Sequence, residues 1–82
     1  MAREWVVYII RGSDEALYTG ITTDVERRFA EHRNGRNGAR YFAGRDPVEV
    51  VFTEGGHDRS SASKREAQIK KWPRQKKLEL LS

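Results

Sequence analysis

The stretch WVVYIIRGSDEALYTGIT, residues 5–22, decides the fold. Residues 5–10 are apolar, aromatic or β-branched without interruption, which predicts a central strand covered on both faces. Residues 11–15 are turn formers. Residues 16–22 predict a second strand, in which Gly20 either weakens the strand or permits a close backbone approach. The stretch therefore predicts a β-hairpin with a loop of about five residues.

The hairpin carries two tyrosines, Tyr8 and Tyr18. Pairing Ile10 with Ala16 across the loop places them opposite each other on one face, with Cβ atoms roughly 4.5–5.5 Å apart. A loop one residue shorter would put them on opposite faces. A cross-strand aromatic pair is more often core than functional, and on the tyrosines alone the core role is favoured.

One helix follows the hairpin. Thr23 and Glu26 have capping-box spacing, which predicts that Thr23 opens this helix. Asn34-Gly35 supplies its stop signal. Residues 35–47, rich in glycine and arginine, predict a long basic loop.

A third strand and two further helices complete the chain. Residues 48–53 predict the strand, which Gly55-Gly56 ends. The second helix is expected from residues 58–61 to Trp72, where the following proline breaks it, and residues 74–81 predict a short third helix. The order β-β-α-β-α-α indicates an α+β fold with a small, three-stranded, mostly antiparallel sheet flanked by helices.

Length and composition exclude several classes of protein. The 82 residues suffice for a single domain, residues 1–82. The absence of cysteine excludes disulfides, thiolate catalysis, Fe–S clusters and thiolate zinc sites. No apolar run approaches the roughly 20 residues of a membrane span, and no signal peptide is evident, so we expect a cytoplasmic protein without membrane contacts.

Charge is arranged in blocks along the chain. The net charge is +4, but residues 1–26 and 46–56 each sum to −3, whereas residues 27–45 and 57–82 each sum to +5. A fold that joins the two basic blocks creates a positive face that attracts phosphate backbones. A merely solvated surface is the alternative, and the net charge alone favours it slightly.

The first helix presents Arg28 and His32 four residues apart on one face. Arg27 has Glu31 as an ion-pair partner four residues on, whereas Arg28 has only Asp24, four residues before it. Such a pair is usually a surface feature unless other groups join it.

The second helix has a carboxylate in its apolar stripe. Ala62, Ile69 and Trp72 form the stripe, and Glu66 lies within it, where a buried carboxylate needs an arginine or a metal nearby. Alternatively, Ser63 and Glu66 have capping-box spacing, which would make Glu66 structural. The sequence alone leaves these two interpretations nearly even.

These motifs together resemble the GIY-YIG nuclease superfamily. They are V-V-Y at 6–8, Y-T-G at 18–20, T-D-V-E-R-R-F-A-E-H at 23–32 and R-E-A-Q-I-K-K-W at 65–72. The resemblance spans nearly the whole chain and is closest to small, stand-alone, single-domain members of a bacterial-type group. Either tripeptide alone is weak evidence, whereas the full set at this spacing is a strong signal.

The resemblance implies a metal-dependent endonuclease that hydrolyses phosphodiester bonds in DNA with one divalent ion, Mg²⁺ or Mn²⁺. The family pattern assigns catalysis to Tyr8, Tyr18, Arg28, His32 and Glu66, with Glu66 as the metal ligand. With the nuclease interpretation in hand, we expect nucleic-acid contacts from Thr22, Arg27, Arg36, Arg40, Tyr41, Lys70, Lys71, Arg74, Lys76 and Lys77. For the C-terminal basic run, a solvated helix end is the alternative.

The implied chemistry fits these residue types. Arg28 can bind phosphate oxygens in a bidentate manner and stabilise the transition state. Mg²⁺ accepts one carboxylate plus waters and phosphate, so Glu66 alone can hold it. Tyr8 is the candidate general base, and lowering its pKa by two units would require roughly 2.7 kcal/mol, which a metal ion and a guanidinium could supply. Tyr18 would orient the water or bond a phosphate oxygen, and His32 would relay a proton or hold the site together.

Two departures from the family pattern bear on activity. Val6 replaces the first glycine of the GIY tripeptide, and the late asparagine that some of these nucleases use has no counterpart, since Asn34 and Asn37 are the only asparagines. The competing hypothesis is a non-catalytic nucleic-acid-binding module, or an adaptor that needs a partner protein. We expect low sequence specificity, with branched or single-stranded DNA as substrates and DNA repair or recombination as the setting.

Overall fold

The computed structural model describes residues 4–33 and 47–81. Its elements are β1 (Trp5–Gly12), β2 (Leu17–Thr22), α1 (Val25–Arg33), β3 (Pro47–His57), α2 (Arg59–Lys70) and α3 (Arg74–Glu79). The three strands form one antiparallel sheet in the order β2-β1-β3. The α+β class and the predicted order β-β-α-β-α-α are confirmed. Among the described residues, no helix is long and apolar enough to cross a membrane.

The central strand β1 is buried on both faces, as its unbroken apolar run predicts. Residues 7–10 are at most 1% exposed. Because side chains alternate along a strand, they divide between two clusters on opposite faces of the sheet. The clusters are Val7, Ile9, Leu17, Ala62 and Ile69 on the α2 face, and Tyr8 and Ile10 packed with Tyr18, Val25 and Phe29 on the α1 face.

The hairpin turn is shorter than predicted. The backbone N–H of Glu15 donates to the carbonyl oxygen of Gly12 at 3.0 Å, and the N–H of Gly12 donates to the carbonyl oxygen of Ala16 at 2.8 Å. Glu15 has φ 68°, the left-handed conformation that closes a three-residue turn of this kind. Arg11 and Gly12 therefore continue β1 rather than begin the loop.

The register consequently differs from the predicted one. Ile10 pairs with Tyr18, and Tyr8 pairs with Gly20, so the prediction that Ile10 faces Ala16 is wrong. The error is two residues, and a shift of two preserves the face on which each side chain lies. Tyr8 and Tyr18 share a face as expected, but as diagonal neighbours rather than as a directly opposed pair.

Gly20 permits a close approach, one of the two roles that the sequence predicts for it. The phenol of Tyr8 lies across its Cα, so that a Cβ added at residue 20 would meet Tyr8 Cζ at 2.6 Å. Only glycine accommodates a contact of this kind without displacing the ring.

The third strand is longer than predicted. It continues through Gly55-Gly56 to His57, so the expectation that these glycines end it is wrong. Val7 pairs with Glu54 and Trp5 with His57, which leaves one extra residue on β3. Gly56 adopts φ 79°, a conformation that glycine tolerates, so the two glycines form a β-bulge instead of a stop.

Aspartate caps α1, instead of the threonine that the sequence predicts. Asp24 Oδ1 accepts the backbone N–H of Arg27 at 3.1 Å, and Thr22 Oγ1 accepts the N–H of Asp24 at 3.1 Å. The Thr23–Glu26 capping box is therefore wrong, because Asp24 satisfies the first helical N–H groups with a full negative charge.

Aspartate also caps α2. Asp58 Oδ1 accepts the N–H of Ser61 at 2.7 Å, and Ser61 Oγ accepts the N–H of Asp58 at 3.1 Å. The predicted start between residues 58 and 61 is confirmed. The Ser63–Glu66 capping box does not form, so Glu66 lies in the second turn of a helix that is already capped.

We predict that Gly20→Ala lowers the free energy of unfolding by about 1–3 kcal/mol, because the new methyl group must displace the buried Tyr8 ring. Urea denaturation measures this change. Gly55→Ala is the matched control, since its Cβ would meet only the movable carboxylate of exposed Glu4, at 2.9 Å. Equal stability of both variants would show that the ring can move aside without cost.

Candidate active site

The α1 face of the sheet brings Tyr8, Tyr18, Arg28 and His32 together. The ring centroids of Tyr8 and Tyr18 are 6.2 Å apart. The His32 ring meets Tyr18 edge-on at 5.0 Å and lies 6.3 Å from Tyr8. The strand alternation and the i,i+4 spacing on α1 thus direct four of the five predicted catalytic side chains to one place.

The Tyr8 hydroxyl is the centre of this cluster. It lies 3.2 Å from His32 Nε2, and both residues are almost fully buried. The Arg28 guanidinium also hydrogen-bonds to Tyr8. A guanidinium can only donate, so the phenol oxygen accepts from Arg28. In the histidine tautomer that carries its proton on Nδ1, the Tyr8 O–H donates to His32 Nε2.

The histidine at this site is suited to accept that proton. Burial lowers the pKa of His32 below its ordinary value, and the nearby Arg28 charge lowers it further, against an opposing contribution from Glu31. The imidazole is consequently neutral at pH 7, with one ring nitrogen available as an acceptor.

Burial raises the pKa of Tyr8 to about 12, although the Arg28 hydrogen bond acts in the opposite direction. The guanidinium thus contributes as the sequence suggests, but desolvation outweighs it. Tyr8 is a neutral phenol at physiological pH, so it can take a proton from another group only if it gives up its own.

The partner of Arg28 is not the one that the sequence suggests. Its Nη1 lies 3.1 Å from Glu31 Oε1, whereas Asp24 caps the helix. Burial acts to lower the pKa of Arg28, but hydrogen bonds with Tyr8 and Glu31 outweigh this and raise it. Glu31 is a positioning residue that the sequence analysis assigned to Arg27, and its i,i+3 spacing to Arg28 was the available signal.

Glu66, the fifth predicted catalytic residue, lies on the helix of the opposite face. It belongs to α2, which packs on the opposite face from α1, and its carboxylate lies 3.5 Å from Lys70 Nζ. Lys70 in turn lines a groove of about 310 Å³ together with Tyr18. Of the predicted stripe, Ala62 and Ile69 are buried and Trp72 is partly buried. Glu66 has a lysine as its ion-pair partner rather than the arginine or metal that the pattern suggests.

The remaining predicted residues occupy varied positions. Thr22 is buried and its hydroxyl holds the backbone before α1. Arg27, Lys71 and Arg74 are exposed, and Lys76 Nζ lies 4.4 Å above the Trp72 ring. The expected contacts from Arg36, Arg40 and Tyr41 lie outside the described residues.

A divalent ion would find one carboxylate here. Within residues 4–33 and 47–81, no group of three or more metal-ligating side chains comes together. Glu66 is 24% exposed, and its ion pair with half-exposed Lys70 is long, so the carboxylate can exchange this partner. This donor set fits Mg²⁺, which keeps most of its waters and often takes a single protein carboxylate.

Comparison with known proteins identifies related chains. The GIY-YIG catalytic domain matches residues 4–79. A UPF0213 protein of Natronomonas pharaonis is 50% identical over 100% of this chain and 95% of its own length. A UPF0213 protein of Haloquadratum walsbyi is 54% identical over 90% of this chain and 82% of its own length. The solution NMR structure of the UPF0213 protein BH0048 from Bacillus halodurans has a TM-score of 0.59 at 39% identity, covering 94% of this chain and 81% of that one.

We predict that His32 makes the fold sensitive to acid. Its folded pKa lies below the unfolded value of 6.5, so its contribution to stability is complete above pH 6.5 and is lost as pH falls below it. The free energy of unfolding should decline by up to about 1.4 kcal/mol per pH unit from this group. Urea denaturation from pH 7.5 to 5 measures the decline.

His32→Gln should remove this component, whereas His57→Gln should retain it. An unchanged pH dependence in His32→Gln would contradict the assignment, and NMR titration of the two histidine rings provides an independent check.

Proposed function

The chain belongs to the GIY-YIG catalytic-domain family, with UPF0213 proteins among its relatives, and on that premise we propose that it is a metal-dependent DNA endonuclease. The family is a nuclease superfamily whose members generally depend on divalent metal ions. The observation that carries the proposal is the buried Tyr8 hydroxyl held between the His32 imidazole and the Arg28 guanidinium.

This contact supports a proton relay rather than a lone tyrosinate base. A water that attacks phosphorus would give its proton to the Tyr8 oxygen while Tyr8 passes its own proton to His32 Nε2, across the 3.2 Å hydrogen bond. The phenol then begins and ends neutral, so its pKa of about 12 is no obstacle. Tyr18, beside both rings, would orient the water or bond a phosphate oxygen.

Arg28 would bind the phosphate. Its guanidinium is oriented by Glu31 at 3.1 Å and by Tyr8, which restricts its position before substrate arrives. A planar, permanently charged fork of five N–H donors suits the phosphate oxygens and the added charge of the transition state.

Glu66 would hold the divalent ion, Mg²⁺ or Mn²⁺. When bound, such an ion polarises the phosphate and stabilises the leaving oxygen. Lys70, the ion-pair partner of Glu66, lines a groove with Tyr18 at the edge of β2, and this supports the assignment of Glu66 to the same site.

DNA is the proposed substrate, with the exposed basic residues of α2 and α3 contacting its backbone. Backbone contacts position a strand without reading its sequence, so branched or single-stranded DNA is favoured over a defined sequence. Repair or recombination is the proposed setting.

A non-catalytic nucleic-acid-binding module, or an adaptor for a partner protein, is the second candidate. The Glu66–Lys70 ion pair favours it, because a paired carboxylate has an alternative to metal binding.

We predict that three substitutions separate catalysis from binding. Tyr8→Phe should keep the ring packing and lower the nicking rate about 10²–10⁴-fold, because it breaks the relay. Glu66→Ala should abolish metal-dependent nicking with DNA affinity equal or slightly higher, and Arg28→Ala should weaken both. The measurement is nicking of plasmid and branched DNA with Mg²⁺ and with Mn²⁺, beside equilibrium binding.

Glu79→Ala and Arg33→Ala are the controls, because they remove surface charges of the same sign as Glu66 and Arg28, and they should retain activity. A wild-type chain that is inert on every substrate, with all variants binding alike, would eliminate the endonuclease and leave the binding module.

We also predict that DNA affinity falls steeply with salt. Lys71→Met and Arg74→Met should each weaken binding to unrelated sequences about equally and reduce the log–log salt slope by about 0.7–0.9. Fluorescence anisotropy at several salt concentrations measures this slope. Arg11→Gln, at the far end of the hairpin, should leave it unchanged, and a loss confined to one DNA sequence would argue for base recognition instead.

A further inference from the structure

A groove runs along the outer edge of β2. Its volume is about 310 Å³, and it is lined by Leu17, Tyr18, Thr19, Lys70 and Lys77. Two lysines, one from α2 and one from α3, thus line the same groove beside an edge strand. The groove adjoins the tyrosine cluster through Tyr18, which belongs to both.

Thr19, which lines this groove, is a buried polar residue. The residue is 3% exposed, and its hydroxyl has no hydrogen-bond partner within the described parts of the chain. A buried polar atom without a partner is costly, and native proteins usually satisfy it. The two lysines would attract an anion in the groove, and the anion could accept a hydrogen bond from this hydroxyl if it displaced the atoms that cover Thr19.

Lys70 lines the groove and also forms an ion pair with Glu66. Its Nζ lies 3.5 Å from Glu66 Oε2, and its side chain is 52% exposed. A lysine is a flexible point charge, and an exposed pair of this kind is weak. It can therefore leave the carboxylate when a stronger partner arrives.

We propose that the groove binds one phosphate of the nucleic-acid strand and that Glu66 withholds Lys70 from this phosphate until a cation neutralises the carboxylate. The inference rests on the proposed function and deepens it, because it makes Lys70 a positioning residue that couples metal binding to substrate binding. Because coupling between two binding sites is reciprocal, the nucleic-acid strand and the cation would each tighten the binding of the other.

The physical basis is competition for one ammonium group. While Glu66 carries its charge, its carboxylate competes with a phosphate in the groove for the Lys70 ammonium group. Neutralising Glu66 ends this competition, so that Lys70 and Lys77 are both available to the phosphate.

A double-mutant cycle in metal-free buffer tests this directly. The variants are Glu66→Gln, Lys70→Met and the double substitution, and the readout is the dissociation constant for a single-stranded oligonucleotide at fixed salt. Glu66→Gln should tighten binding about two- to fivefold, and this gain should disappear when Lys70 is methionine. Circular dichroism checks that each variant is folded.

Matched controls separate this coupling from net charge. Glu79→Gln removes a carboxylate elsewhere, and Lys71→Met removes the neighbouring lysine, so the Glu66→Gln gain should persist in the Lys71→Met background. Equal effects of Glu66→Gln in both lysine backgrounds would overturn the proposal.

The outcome is independent of the nicking assay. Coupling between Glu66 and Lys70 in a chain that cuts nothing would support the groove and reject the nuclease. Additive effects in a chain that nicks DNA would reject the groove and keep the nuclease.

Discussion

The contact between the Tyr8 ring and the Cα of Gly20 is the constraint on which the site depends. Because Gly20 has no side chain, the phenol can lie against its Cα and reach His32 Nε2 on α1. The same burial removes water from the hydroxyl and raises the pKa of Tyr8 to about 12. The packing of the ring and the raised pKa of the hydroxyl at this position therefore have a single cause.

The sheet separates the tasks of its two faces. On one face, α2 covers the larger apolar cluster, while on the other α1 brings Arg28 and His32 to the tyrosines. At the edge of β2, the basic side chains Lys70 of α2 and Lys77 of α3 line one groove with Tyr18, which belongs to the tyrosine cluster. A nucleic-acid strand bound at this edge would contact side chains from both faces of the sheet.

Much of this arrangement follows from periodicity in the sequence. The element order, the burial of β1 and the shared face of the tyrosines were predictable because a shift of two residues preserves side-chain direction. The exact register was not, since Glu15 adopts a left-handed turn conformation that its residue type disfavours. Spacing is compatible with both Asp24, at i−4, and Glu31, at i+3, as partners of Arg28, and it does not show that desolvation of Tyr8 outweighs the guanidinium.

The packing of Tyr8 against Gly20 also constrains which residues related chains can carry at position 20. A phenylalanine at residue 8 would keep Cζ 2.6 Å from a Cβ added at residue 20, so the ring requires the glycine even without the hydroxyl. A lineage that lost catalysis would still be held to glycine at residue 20 by selection for a folded chain. Glycine at residue 20 is therefore expected beside either tyrosine or phenylalanine at residue 8, and the residue at position 8 alone records whether the hydroxyl is kept.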